Sequence, residues 1–200
     1  MPETAPREVR GGIPAEIRAS ADSVSVSGYA AVFNQIADIG GAFREVIEPG
    51  AFRAALGRDD VAFLINHEGL PLARTKSGTL QLTEDDHGLR MQTDLLATDP
   101  DVARIVPKMQ RGDLTKMSFA FRATRETWDD SQKPPLRTIQ EAELYDVSIV
   151  TSPAYEGTDI GLRSLEQHRE QQRKTQNFNA ARKRKRLKMD LAQRERENGM

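Results

Sequence analysis

The chain has 200 residues, 38% hydrophobic and 30% charged, which suffices for one domain with a real core plus appendages. It contains no cysteine, so disulfide frameworks, thiolate catalysis and Cys-ligated zinc or iron–sulfur sites are excluded. Net charge is -1 but unevenly spread: from Ser164 to Met200 eleven Lys/Arg stand against five Asp/Glu, while the first 163 residues carry 18 against 25, giving an acidic body and a basic tail.

Residues 1–20 mix Pro, Gly and charge without period and read as a mobile arm. They lack the apolar core of a signal peptide, and no stretch approaches the roughly 18 apolar residues of a membrane span, so a soluble protein made in the cytoplasm is expected. From Ser23 to Phe33 small polar and apolar residues alternate, which predicts the strand that opens the fold. Pro49 to Leu56 reads as a short helix stopped by Gly57. Val61 to Asn66 is nearly all apolar, a strand buried on both faces, and it ends at His67.

Thr79–Thr83 and Leu89–Leu95 alternate cleanly around the turn residues Glu84–Gly88, predicting a hairpin with one wet face. Val102, Ile105, Val106 and Met109 have helical spacing behind Asp99 as a cap, with a kink or break expected at Pro107. From Lys116 towards Trp128, Met117, Phe119, Phe121 and Ala123 point one way and Ser118, Ala120, Arg122 and Thr124 the other. Asp129–Pro135 is an exposed loop, and Leu136–Thr151 is a further strand halted at Ser152-Pro153. Short strands with few helices predict a mainly β, α+β fold, a barrel or sandwich with helices flanking it. Beyond about Thr158, Gln, Arg, Glu and Lys dominate. The expected division is therefore an arm at 1–20, a folded domain at 21–163, and a charged tail at 164–200, helical or disordered.

Two residues in the strand-like segments carry chemistry. His67 sits at the end of an apolar strand, and imidazoles, which ordinarily titrate near 6.5, serve as base and then acid. Ser118 lies on the face opposite Met117, Phe119 and Phe121, which would anchor its strand while the hydroxyl looks towards a cleft. Together they form a candidate base and nucleophile, although the G-x-S-x-G elbow is absent. His87, in a turn of carboxylates, and His168, in the tail, read as solvated. Asp146 lies among apolar neighbours, where a carboxylate is costly unless it meets a cation, such as Arg122, or accepts from a ring N–H. Glu141 and Glu143 are reserve candidates for that third position. Metal chemistry lacks support: His67-Glu68 has no second histidine four positions on, and no cofactor motif is present.

In order along residues 20–160, the segments Gly28-Tyr-Ala-Ala-Val-Phe-Asn34, Glu45-Val-Ile-Glu-Pro-Gly-Ala-Phe52, Leu64-Ile-Asn-His67, Gly78-Thr-Leu80, Gly88-Leu-Arg90, Arg111-Gly-Asp-Leu114, Met117-Ser-Phe-Ala-Phe121 and Asp146-Val-Ser-Ile-Val-Thr-Ser-Pro-Ala154 resemble the prohead proteases of tailed bacteriophages, relatives of the herpesvirus assemblins. The resemblance implies a closed barrel of about seven strands, Ser118 as nucleophile, His67 as base and an acidic third member, for which Asp146 fits best. It also implies a serine endopeptidase, enclosed in the immature prohead in the host cytoplasm. There it would cut scaffold, such as an N-terminal segment of the major capsid protein, and then itself. A homodimer follows only by analogy. For the 164–200 tail, with Arg182–Lys188, docking on scaffold and a merely solvated charged helix both stay open, nucleic acid being disfavoured by the lack of interleaved aromatics. Backbone N–H groups of Thr151–Tyr155 are a candidate oxyanion hole, with a purely structural use of that proline turn the preferred reading. The rival reading is a catalytically inactive scaffold or assembly chaperone of the same fold.

Overall fold

The computed structural model describes residues 7–20, 22–151 and 157–198, with side chains in the last of these segments described for 163–189. Two units are distinguished, Met1–Gly161 and Leu162–Met200.

The first unit is built of strands β1 (Glu8–Ala19), β2 (Ser23–Val32), β3 (Ala37–Ile39), β4 (Phe43–Ile47), β5 (Ala62–Ile65), β6 (Glu68–Arg74), β7 (Leu80–Glu84), β8 (Gly88–Leu96), β9 (Lys116–Asp129) and β10 (Leu136–Val150), with helix α1 (Arg53–Arg58) before β5 and α2 (Pro100–Arg111) before β9. Where the sequence suggests a mobile arm, the chain forms β1. Its polar residues meet partners more than 30 positions away, so no local pattern announces the strand.

The strands form one ten-stranded sheet in the order β3-β4-β10-β9-β1-β2-β8-β7, with β5 and β6 branching from β10. The expected closed barrel of about seven strands does not form: β3 and β7 end the path without pairing to one another. Branching takes the place of closure because β10, at 15 residues, is long enough for two parallel partners, β4 along Leu136–Ile139 and β5 along Asp146–Ile149. Strand β1 is shared in the same way: Glu8–Pro14 pair with β9, and Ala15–Ala19 pair with β2.

Alternation fills the core. Val24 and Val26 of β2, Leu89 and Met91 of β8, Phe119 and Phe121 of β9 and Val147 and Ile149 of β10 are all buried. A file of rings runs through it, with centroids 6.1 Å apart for Phe33–Phe52, 5.6 Å for Phe52–Phe119 and 5.0 Å for Phe119–Phe121. The hairpin predicted around Glu84–Gly88 is β7–β8, with Asp85 Oδ1 accepting from the His87 and Gly88 N–H groups. Helix α1 covers Arg53–Arg58 and includes Gly57, the residue expected to stop it. Helix α2 starts at its Asp99 cap and runs through Pro107 without the expected break, ending at left-handed Gly112. Pro107 and Ala103 both lie on the exposed side, so the carbonyl that loses its donor can be met by water.

Helix α3 (Gly157–Asn198) is the tail. Phe178, Leu187 and Met189 are exposed on it, and among its described residues no apolar stripe follows its axis. Among the described residues no helix is long and apolar enough to cross a membrane.

Candidate active site

Three neighbouring strands, β9, β10 and β5, assemble the site. Ser118 lies on β9 opposite Ser148 of β10, and Ser148 in turn pairs with Leu64 of β5. Strand β5 then turns into β6 through Asn66 and His67, whose φ angles of 51° and 63° are both left-handed, as a two-residue hairpin turn requires. Asparagine and histidine are both among the non-glycine residues that enter that region most readily. The turn is tied down by Asn66 N–H to Ile149 O (3.0 Å), Thr151 N–H to Asn66 Oδ1 (3.1 Å) and His67 N–H to Ser148 Oγ (3.2 Å). The expected strand-end histidine is thus a turn histidine, folded back over β10.

That turn aims the imidazole along a line of hydrogen bonds. His67 Nδ1 is 2.6 Å from Asp146 Oδ1, and Nε2 is 2.7 Å from Ser118 Oγ. An ionised carboxylate only accepts, so Nδ1 carries the proton and Nε2 is left to accept from the serine. Asp146 and Ser118 are buried, and the His67 side chain is 13% exposed. Ser148, fully buried two residues beyond Asp146, donates to the same Oδ1 at 2.9 Å. The Arg7 guanidinium pairs with Oδ2 and lies 5.5 Å over the Tyr145 ring. Both partners the sequence left open for Asp146, a cation and a ring N–H, are therefore present, with Arg7 as the cation in place of Arg122. Arg122 pairs with Glu143, and Glu141 lies 4.0 Å from Arg125, so the two reserve candidates meet arginines rather than His67.

His87 packs edge-on against Tyr29 at 4.5 Å, and His168 lies on α3. Of the candidate oxyanion donors, the Thr151 N–H is taken by Asn66, and 152–155 lie outside the described residues. Among the described residues no group of three His, Cys, Asp or Glu side chains converges as a metal site.

Ser118 does not look into an open cleft. The first half of β1 lies across it, with Gly11 opposite, and the hydroxyl donates to the Arg10 carbonyl at 2.8 Å. One proton thus has two acceptors, Nε2 and the Arg10 oxygen. A Cβ on Gly11 would stand 2.7 Å from Ser118 Cβ, so only glycine permits this approach.

The covering strand is held by charge. Glu8 is fully buried and grips Arg137 with both oxygens, at 2.8 and 2.7 Å. Arg10 donates to Glu45 at 2.7 and 3.0 Å and sits 5.6 Å over the Phe121 ring, while Arg137 also reaches Glu45 at 2.9 Å and pairs with Glu126. Burial works to raise the Glu8 carboxyl, but hydrogen bonding and charge from Arg137, then Arg10, outweigh it and hold the group below its ordinary value. Burial also opposes the charge on Arg137, yet Glu8, Glu45 and Glu126 more than restore it.

Over residues 14–172 the chain matches the family model described as caudovirus prohead serine protease. It belongs to that family. No curated protein and no solved structure matches it. Membership in the prohead serine proteases supports a serine protease with a role in capsid maturation, and the matched region begins at Pro14, just beyond the residues that cover Ser118.

Sequence reasoning missed Ser148, Arg7 and the β1 cover. Ser148 carried a signal, since a residue two positions from Asp146 on a strand shares its face. The cover carried none, its partners being up to 129 residues away.

Proposed function

We propose that this protein is a serine endopeptidase that cuts capsid or scaffold protein inside the immature prohead, such as an N-terminal scaffolding segment of the major capsid protein, and then cuts itself. The observation that carries the reading is the line from Asp146 through His67 to Ser118, with contacts of 2.6 and 2.7 Å.

In this reading Ser118 Oγ attacks the scissile carbonyl carbon while its proton passes to His67 Nε2. Collapse of the tetrahedral intermediate breaks the C–N bond, and the same proton leaves on the amine. Water then adds to the acyl-enzyme, giving its proton to Nε2, and Ser118 recovers a proton from His67 as the acid product departs. Asp146 holds the ring and balances the imidazolium charge, Oδ1 being further oriented by Ser148. The charged helix α3 would dock the enzyme on scaffold, and self-cleavage has a ready target in the strand already lying on Ser118.

A second reading, a non-catalytic assembly protein of the same fold, is favoured by the complete burial of Ser118. Co-expression with the cognate major capsid protein separates the two. New N-termini, mapped by mass spectrometry, are expected with the wild type and absent with Ser118→Ala and His67→Ala, for which losses of roughly 10⁶-fold in rate are ordinary. Shells that assemble alike in all three, with capsid protein intact throughout, would establish the assembly reading instead.

A further inference from the structure

The strand lying on Ser118 is held in the manner of a peptide substrate, and the groups that hold it are not part of the catalytic line. Glu8–Pro14 add to the free edge of β9 as an antiparallel strand, which is how extended peptides are commonly bound. The carbonyl on the nucleophile is that of Arg10, so the peptide bond nearest Ser118 is Arg10–Gly11. Alternation then sends the Arg10 and Glu8 side chains to the same, inward side, where each meets a buried group of opposite charge: Glu45 for Arg10, Arg137 for Glu8. Beside them a cavity of about 600 Å3, lined in part by Arg10, Glu45, Ile47 and Phe119, leaves room for a long side chain to enter. The second half of β1 pairs with β2, so its first half can leave β9 while the rest stays anchored.

We propose that Glu45 and Arg137 determine specificity: a substrate entering as the strand that Glu8–Ile13 now forms is cut after a basic residue held by Glu45, carries an acidic residue two positions earlier held by Arg137, and continues with glycine. The proposal rests on the endopeptidase reading and names the substrate sequence class for that site. Without the strand Arg137 still pairs with Glu45 and Glu126, but Glu45 loses both contacts with Arg10 and Arg137 both contacts with Glu8, so a peptide lacking the matching charges leaves those hydrogen bonds unmade. That is the condition under which a polar site discriminates strongly. Glycine follows from the 2.7 Å that a Cβ at position 11 would leave to Ser118 Cβ.

The test uses the full chain, both as wild type and carrying Glu8→Gln with Arg10→Gln, which removes the ionic holds to Arg137 and Glu45 and leaves the Arg7–Asp146 pair. Each form is given a peptide with the sequence of residues 6–15 and versions with Gln in place of Arg10, Gln in place of Glu8, or Ala in place of Gly11. Cleavage after Arg10 is expected, with kcat/KM falling roughly 100-fold for Gln at that position, as for loss of one partner of a buried charge pair, and by smaller factors for the other two changes. Glu45→Gln, or Glu45→Asp should the first fail to fold, is expected to bring the Arg-to-Gln rate ratio close to one while the Gln peptide keeps its rate. A ratio that persists in the Glu45 variants, with all rates lowered alike, would make Glu45 merely structural and overturn the assignment. So would cutting without preference by a protein that, in a separate sample, is phosphonylated at Ser118 by a fluorophosphonate with loss of fluoride, a result that leaves the endopeptidase reading standing. Absence of both phosphonylation and cutting removes that reading and the specificity with it.

Discussion

Two buried polar clusters meet on either side of the β9–β1 ladder, and they are built on opposite principles. On one side Asp146, His67 and Ser118 form a line with a single mobile proton, reached by side chains from two adjacent strands and the β5–β6 turn. On the other, Glu8, Arg10, Glu45 and Arg137 form a net of fixed charges in which every carboxylate faces a guanidinium. The first can do chemistry because its charge state can change. The second can only hold, and what it holds is the strand that occupies the nucleophile.

Substitutions should separate the clusters by which quantity moves. The largest effect is expected from Asp146→Asn, which keeps the shape but leaves His67 in the wrong tautomer: turnover of a capsid-derived peptide should fall roughly 10⁴-fold with little change in melting temperature. Glu141→Gln and Glu143→Gln, measured alongside, should stay within a few-fold of wild type. A large loss at Glu143 and none at Asp146 would reassign the third member of the line.

Arg137→Ala should do the reverse. Stripping the cation from three carboxylates costs about 3–5 kcal/mol, typical of a broken buried ion pair, and should appear in urea denaturation as a lower midpoint at unchanged slope. Retention of full stability would mean that the net contributes nothing to the fold and that the two clusters differ less than their geometry implies.

The Glu8 carboxyl sharpens the comparison through pH. Its value in the folded protein lies below the ordinary 4.5, so its contribution is complete above that pH and fades as pH falls through the lowered folded value. Wild type should thus exceed Glu8→Gln by roughly 2 kcal/mol near neutrality, the usual worth of hydrogen bonds to a charged group. The two stability curves should converge below pH 4.5. Hydrogen exchange at residues 8–13 would report the same window locally. Parallel curves down to pH 2 would place the hold elsewhere.

The smallest effect is reserved for Ser148→Ala. It removes one hydrogen bond to Asp146 Oδ1 and one from the His67 N–H, so about 1 kcal/mol and a roughly ten-fold loss in kcat are expected with KM unchanged. A change in KM alone would make Ser148 a part of the groove and not of the line.

How much of this could be read from the sequence follows from where each signal lies. Ser118 was legible because alternating Met117, Phe119 and Phe121 fixed its face, and Asp146 because a carboxylate among Leu144, Val147 and Ile149 needs a partner. His67 was singled out by its place after an apolar run, but its left-handed backbone was hidden, since that run says nothing about how the chain turns. Strand β1 was misread as an arm because ionic contacts with Glu45 and Arg137 replace the apolar alternation that marks a strand. Closure was beyond reach for a similar reason: whether a sheet joins its ends depends on pairings between distant strands. Here the length of β10 let the sheet fork.

The wide chain separations within the site carry a consequence of their own. His67 and Ser118 are 51 residues apart, His67 and Asp146 79, and Ser118 and the covering Arg10 carbonyl 108, so each contact closes a long loop of the kind that slows folding. A polypeptide still emerging from the ribosome has no Asp146 to set its histidine until most of the chain has been made. In the proposed enzyme, proteolytic competence is therefore timed by synthesis itself, since Asp146 joins the chain after both His67 and Ser118.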